Sequence, residues 1–138
     1  MTFDENPTHS GTSASEAFTL KRGVCQDYAH IFIACARSGG VPARFVSGHF
    51  LRSDGVTSQP AGHAWAEAFV PDLGWVGFDA ANGICTTVAH VRVAVGLDYL
   101  GAAPVRGTRY GGGTESLTVA VKVEQAGRPG QWQSQRQD

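Results

Sequence analysis

The stretch that decides the fold reads GHAWAEAFVPDLGWVGFD and occupies residues 62–79. Its first part alternates in polarity and size from His63 to Val70, the pattern of a β-strand with two distinct faces. The Pro-Asp-Leu-Gly run at residues 71–74 is a turn sequence. A shorter strand from Trp75 to Asp79 follows. The stretch therefore predicts an antiparallel hairpin with a histidine at the start of its first strand and an aspartate at the end of its second.

The register of this hairpin decides whether His63 and Asp79 can meet. A loop of three or five residues pairs Phe69 with Trp75 and sets Trp65 opposite Asp79. In that register His63 and Asp79 lie diagonally on one face, with Cα atoms about 7–8 Å apart. A four-residue loop would place them on opposite faces. We therefore predict a loop of odd length or a compensating bulge.

A helix is predicted upstream, from Cys25 to Arg37. Its apolar residues fall at helical spacing, namely Tyr28, Ile31, Phe32 and Cys35. Apolar residues also fill the neighbouring stripe, so the helix should be central and buried. The Ser-Gly-Gly run at residues 38–40 ends it, and Pro42 prevents its continuation.

Further strands are predicted at residues 43–52, 89–95 and 116–124, which completes an α+β plan of one buried helix on an antiparallel sheet. The chain has 138 residues, about the length of one domain. We expect a mobile lead-in at residues 1–16, a folded domain at residues 17–125 and a disordered tail at residues 126–138.

Composition narrows the possible partners. The formal net charge is -1, which favours neither nucleic acid nor an anionic membrane surface as a partner. Three cysteines cannot form a complete set of disulfides, so a cytoplasmic location is the simplest interpretation. We expect no metal and no cofactor.

Cys25 is the candidate nucleophile. It begins the predicted helix, where the helix dipole and free backbone N–H groups favour a thiolate, and Lys21 and Arg22 add positive charge nearby. The alternative is a buried structural cysteine, and position alone does not separate the two. By contrast, Cys35 is predicted in the core and Cys85 in packing contacts.

His63 and Asp79 are the candidate partners of Cys25. A histidine at the start of a strand can reach a helix end and exchange a proton with a thiol. A carboxylate behind it would fix its tautomer. Each has an ordinary alternative, a polar surface histidine and a turn-initiating aspartate. The remaining histidines show no comparable setting: His9, His30, His49 and His90.

Three segments together resemble bacterial transglutaminase-like cysteine proteases. GVCQDYAH at residues 23–30 resembles their nucleophile helix, GHAWAE at residues 62–67 their histidine strand, and GWVGFD at residues 74–79, followed by Asn82-Gly83, their aspartate strand. VPARFVSG at residues 41–48 and HVRVAVG at residues 90–96 resemble intervening and later portions. The resemblance runs from about Leu20 to Val123.

The resemblance implies a papain-like fold and acyl transfer from an amide. Cys25 would be the nucleophile, His63 the general base and acid, and Asp79 the orienting residue of a catalytic triad, with a peptide or other amide as substrate. Relatives carry a β-rich N-terminal domain, which would be a further partner. They also use an upstream tryptophan or glutamine as oxyanion donor, and neither residue type precedes Cys25 here.

Alternatives remain open at this stage. The same triad could pass the acyl group to an amine, as in a transglutaminase, or the fold could be an inactive interaction domain. A zinc site of Cys25, His63 and Asp79 is disfavoured because their spacing matches no local zinc motif. Tyr28 and Trp65 are candidate substrate-wall residues; Tyr28 is better explained as core, and Trp65 as a shield over the cysteine–histidine pair.

Overall fold

In a computed structural model of the chain, residues 1–108 and 110–127 are described. The helices are α1 (Ala14–Leu20) and α2 (Cys25–Ser38). The strands are β1 (Thr2–Phe3), β2 (Arg22–Gly23), β3 (Ala43–Phe50), β4 (Ser58–Gln59), β5 (His63–Val70), β6 (Gly74–Asp79), β7 (Ile84–Cys85), β8 (His90–Gly96) and β9 (Val121–Lys122).

A five-stranded antiparallel sheet forms the centre of the molecule. Its strand order is β7-β6-β5-β3-β8, so β8 returns past the β5–β6 hairpin to pair with the far side of β3. Helix α2 packs on one face of the sheet, where Ala29 and Ile33 join Phe45 and Ala66 in the core. This confirms the predicted α+β architecture, in which the helix that begins at Cys25 packs against an antiparallel sheet.

The hairpin has the register that the sequence predicted. Val70 pairs with Gly74 and Phe69 with Trp75, which leaves a three-residue loop. Asp72 and Gly74 both have positive φ, and the glycine takes up this conformation without a Cβ penalty. His63 and Asp79 therefore come to the same face at the open end of the hairpin.

The segment at residues 1–16 differs from the predicted mobile lead-in. Strand β1 pairs in parallel with β2, and α1 begins with a capping box in which Ser13 and Glu16 hydrogen-bond reciprocally. The Ser-x-x-Glu pattern is a helix-start signal that is visible in the sequence. The surrounding Thr, Ser and Gly residues, which are typical of a loop, mask this signal.

Helix α2 is less buried than predicted. Its fully buried residues are Asp27, Ala29 and Ile33, and Cys35 is exposed. The prediction that Cys35 lies in the core is wrong, because the sheet covers only one stripe of the helix. Cys85, predicted in packing contacts, is also exposed on the edge strand β7.

The strand predicted at residues 116–124 is reduced to β9, which pairs with β4. Leu117 is 74% and Val119 47% exposed, whereas Val121 and Val123 are half-buried, so only the end of the predicted strand is packed. Of the tail predicted to be disordered, residues 128–138 lie outside the described part of the chain. Neither α1 nor α2, the helices described in residues 1–108 and 110–127, is long and apolar enough to cross a bilayer.

Candidate active site

The start of α2 is built around a buried aspartate. Asp27 Oδ2 accepts hydrogen bonds from the Val24 N–H at 2.8 Å and the Thr8 hydroxyl at 2.7 Å. A Cβ at position 23 would lie 2.5 Å from the same oxygen, so only Gly23 allows this approach. These contacts hold the turn that places Cys25 at the first helical position.

The two cations expected near Cys25 have other partners. The Lys21 ammonium sits 3.3 Å from the centre of the Phe18 ring, and Arg22 forms an ion pair with Asp4. The predicted contribution of Lys21 and Arg22 to thiolate stabilisation therefore has no support in their contacts. What remains beside Cys25 is the helix N-terminus and the neighbouring histidine.

His63 and Asp79 are in direct contact. His63 Nε2 lies 2.7 Å from Asp79 Oδ2, and the two side chains are 13% and 0% exposed. Because Nε2 is occupied by the carboxylate, Nδ1 is the ring nitrogen left to exchange a proton with Cys25. Burial lowers the pKa of His63, and the interactions with Asp79 and with Cys25 raise it.

Two further side chains hold the Asp79 carboxylate. The Asn82 side-chain amide donates to Oδ2 at 2.8 Å, and its backbone N–H donates to Oδ1 at 3.2 Å. His90 Nε2 lies 3.0 Å from Oδ2. Sequence reasoning quoted Asn82 only as part of a motif and gave His90 no role. The position of Asn82, three residues after Asp79, was a usable signal, whereas His90 arrives through the non-local pairing of β8 with β3.

The tautomer of His90 follows from its second nitrogen. The Thr87 backbone N–H donates to His90 Nδ1 at 3.0 Å. An acceptor nitrogen carries no proton, so in the neutral ring the proton is on Nε2, where it is donated to Asp79. His90 is therefore a fixed hydrogen-bond donor to the carboxylate.

The electrostatics of the pair favour charge separation. Burial on its own raises the pKa of Asp79, but hydrogen bonds from His63, Asn82 and His90 outweigh it and hold the pKa well below its usual range. Burial likewise opposes the charged form of His63, yet its contacts with Asp79 and Cys25 raise its pKa to about 9. His63 is thus an imidazolium at neutral pH, next to an ionised carboxylate.

The two candidate wall residues differ in burial, since Trp65 is buried and Tyr28 is half-buried and lies outside the core cluster. Trp65 is 2% exposed; its ring centroid is 6.0 Å from that of His63 and 5.2 Å from that of His90. It supports both imidazoles and leaves little of the indole for a substrate. The Tyr28 hydroxyl donates to the Met1 carbonyl oxygen at 2.8 Å, which ties the N-terminal strand to α2.

The residue types around Asp79 also raise the question of a metal. His63, Asp79 and His90 each offer a ligand atom, and these atoms lie within 4.8 Å of one another. A histidine that binds a metal through Nε2 normally donates its Nδ1 proton to a neighbour. Here Thr87 donates to Nδ1 of His90 instead. The proton on Nε2 of His90 therefore fits a hydrogen bond to the His63–Asp79 pair better than it fits a metal centre.

Comparison with known proteins agrees with this geometry. The sequence profile of the transglutaminase-like superfamily matches residues 1–80, more than half of the chain. The chain belongs to the transglutaminase-like superfamily. A candidate cysteine protease from Cytophaga hutchinsonii has a similar crystal structure, with a TM-score of 0.67 and 28% identity, covering 92% of this chain and 42% of that one.

Relatives within the superfamily include longer proteins. An uncharacterized protein of Mycobacterium leprae is 37% identical over 81% of this chain and 41% of its own length. One of Mycobacterium tuberculosis is 31% identical over 90% and 42%. The chain thus spans about two fifths of these relatives. A protein-glutamine gamma-glutamyltransferase of Pseudomonas aeruginosa is 32% identical over 69% of this chain and 16% of its own length.

Proposed function

We propose that the protein is a cysteine-dependent peptidase or amidase, with Cys25 as nucleophile, His63 as general acid and base, and Asp79 as the orienting residue. The observation that carries this proposal is the contact of His63 Nε2 with the fully buried Asp79 carboxylate at 2.7 Å, beside a cysteine at a helix N-terminus. With Nε2 bound to the carboxylate, Nδ1 is the nitrogen that can exchange a proton with the thiol, and such an arrangement favours a thiolate–imidazolium pair.

Acylation begins with attack of the Cys25 thiolate on the carbonyl carbon of an amide. The developing oxyanion can be met by the Cys25 backbone N–H, because the first N–H groups of a helix have no intrahelical partner. The His63 imidazolium then gives its Nδ1 proton to the amide nitrogen. The C–N bond breaks, an amine leaves, and a thioester on Cys25 remains.

Deacylation reverses the proton transfer. Neutral His63 accepts a proton at Nδ1 from a water molecule as the water oxygen attacks the thioester carbonyl. The C–S bond breaks, the carboxylic acid leaves, and the thiolate–imidazolium pair is restored. Asp79 keeps its negative charge throughout and stabilises the imidazolium through Nε2.

An amine-accepting acyl transferase is the second candidate. It is favoured by the similarity to the Pseudomonas aeruginosa protein-glutamine gamma-glutamyltransferase. In that reaction an amine replaces water in the second step and the triad chemistry is otherwise the same. Whether the thioester is hydrolysed or converted to a new amide depends on whether water or an amine attacks it faster.

The nucleophile is tested by alkylation with iodoacetamide across pH. Cys35 and Cys85 are both exposed, so the measurement uses a Cys35→Ser/Cys85→Ser background in which Cys25 is the remaining thiol. We expect Cys25 to be alkylated well below pH 8.5, the region where an ordinary thiol is protonated. His63→Ala in the same background should lose this reactivity. Slow alkylation of Cys25 that follows an ordinary thiol titration would contradict the proposal.

The two reactions are separated with a glutamine-containing protein, casein, and a fluorescent primary amine. Hydrolysis releases carboxylate product whether or not the amine is present. Transfer instead incorporates the amine into casein in excess of hydrolysis. Cys25→Ala is the control for both readouts.

A further inference from the structure

We propose that His90 is a positioning residue of the active site, and that its Nε2–H fixes the Asp79 carboxylate in the orientation that holds His63. This inference rests on the proposed function, because it concerns how the same triad is aligned. The distance from His90 Nε2 to Asp79 Oδ2 is 3.0 Å, and the two side chains are 2% and 0% exposed. No water can readily replace the contact at such a site.

The hydrogen bonds around Asp79 explain why a further donor matters. Oδ2 receives His63, His90 and the Asn82 side chain, and Oδ1 receives the Asn82 backbone N–H. The Asn82 contacts are local, since Asn82 lies only three residues along the chain from Asp79. His63 donates from the neighbouring strand β5, whereas His90 donates from β8, beyond β3 in the sheet. His90 therefore ties the carboxylate to a second strand of the sheet as well as to its own turn.

His90 is itself held firmly enough to serve as an anchor. The Thr87 N–H keeps Nδ1 as an acceptor. The ring packs against Phe50, with centroids 4.7 Å apart, and edge-on against Trp65 at 5.2 Å. Phe50 is also its cross-strand partner in the β3–β8 pairing. The donor therefore has one tautomer and one direction.

The same burial separates positioning from substrate contact. A side chain that is 2% exposed cannot touch a peptide in the cleft, and Asp79 stands between His90 and the reacting proton on His63. Loss of the donor should leave Oδ2 with His63 and the Asn82 side chain as its donors. Without the contact to β8, the carboxylate can turn with Asn82 and away from His63. The effect should appear at Cys25 through His63.

The test compares His90→Phe with His90→Gln in the Cys35→Ser/Cys85→Ser background. Phenylalanine keeps the ring and loses the donor, whereas glutamine retains an N–H near the position of Nε2. We expect His90→Phe to slow iodoacetamide alkylation of Cys25 at neutral pH by about tenfold to a hundredfold, the effect of losing a hydrogen bond to a charged group. His90→Gln should recover most of the rate. Thermal melting followed by circular dichroism checks that both variants fold.

A second readout does not depend on the thiol. The imidazole of His63 is titrated by NMR, and its midpoint should move to lower pH in His90→Phe and return towards the parent value in His90→Gln. An unmoved His63 midpoint in a folded His90→Phe variant overturns the inference. Equal loss of rate in both variants, with parallel loss of melting temperature, also overturns it, because His90 would then be only structural.

The failure of the proposed function looks different. In that case Cys25 of the parent protein is unreactive at neutral pH, while the His63 titration still responds to the residue at position 90. Conversely, a reactive parent with identical rates in His90→Phe removes the role of His90 and leaves the triad in place.

Discussion

At the scale of single residues, Asp79 shows how a buried carboxylate is kept ionised. Its side chain has no exposed surface, and burial alone would favour the neutral acid. The donors from His63, Asn82 and His90 reverse that preference. The negative charge of Asp79 in turn helps to raise the pKa of His63 above its usual value, against the effect of burial. The protonation of His63 therefore depends on the hydrogen bonds that keep Asp79 ionised.

Asp79→Asn should abolish most of the activity while leaving the fold intact. An asparagine amide turned towards His63 donates to Nε2, so the His63 proton moves to Nδ1 and the ring cannot accept a proton from Cys25. The corresponding change in a serine triad lowers kcat about 10⁴-fold. The rate of Cys25 alkylation at neutral pH measures the effect here.

The control for this variant is Asp98→Asn, which changes an aspartate that bonds the Gly101 N–H in an exposed turn. In this variant Cys25 should be alkylated at the same rate as in the parent protein. An Asp79→Asn protein as reactive as the parent would show that His63 does not need its carboxylate.

At the scale of elements, the odd-length loop of the β5–β6 hairpin was predicted from the requirement that His63 and Asp79 share a face, because the number of loop residues decides which side chains do. The failed strand at residues 116–124 shows the limit of the same argument. Its alternation is as regular as that of β5, but Leu117 and Val119 find no partner face in the described ranges. An alternating pattern shows which apolar side chains a strand could bury. Whether they are buried depends on the strands and helices that pack against it.

His90 was missed for a related reason. Its own surroundings in sequence show only the start of a strand, and the pairing of β8 with β3 is not encoded in periodicity. His63 and Asp79, on the two strands of one hairpin, could be paired from the sequence, whereas the contact of His90 across the sheet could not. Helix α1 was different, since its capping box was readable and was outweighed by composition.

The capping box of α1 can be tested with Ser13→Ala. The Ser13 hydroxyl accepts from the Glu16 N–H, and the Glu16 carboxylate accepts from the Ser13 N–H. Loss of the hydroxyl should lower the free energy of unfolding by about 1 kcal/mol. Urea denaturation provides the measurement, and Ser15→Ala, at an exposed position inside the same helix, should have little effect or stabilise slightly.

Gly48 marks the bulge at which β3 changes register against β8. A Cβ there would lie 2.1 Å from the Val91 carbonyl oxygen and 2.7 Å from the Trp65 ring. Gly48→Ala should therefore lower the free energy of unfolding by about 1–3 kcal/mol through overpacking. Gly107→Ala is the matched control, because a Cβ at that position meets no atom within 4 Å. Equal stability of the two variants in urea would contradict the close approach of β8 at the bulge.

At the scale of the whole molecule, the charged pair makes stability depend on pH. The pKa of His63 is raised from 6.5 to about 9 on folding, so its contribution is complete below pH 6.5 and is lost as pH rises through 9. The pKa of Asp79 is lowered from 3.8, so its contribution is present above pH 3.8 and is lost as pH falls further. Stability from these two groups is therefore greatest between about pH 4 and pH 6.5.

Urea unfolding at pH 6 and pH 9.5 should show this difference, which amounts to about 2–3 kcal/mol from His63. His63→Ala should flatten the dependence over this interval. A parent protein equally stable at both pH values would mean that His63 is not held as an imidazolium in the folded state.

The pairing of β8 with the far side of β3 also affects the order in which the contacts of the site form during folding. The β5–β6 hairpin closes through a three-residue loop, so its contacts form early, whereas β8 must close a much longer loop to reach β3. The histidine and aspartate of the hairpin should thus meet before His90 arrives. A nascent or partly unfolded chain would hold a loosely aligned dyad, and its cysteine would gain full nucleophilicity only when the last strand of the sheet is in place. Folding itself would then act as the safeguard against premature chemistry.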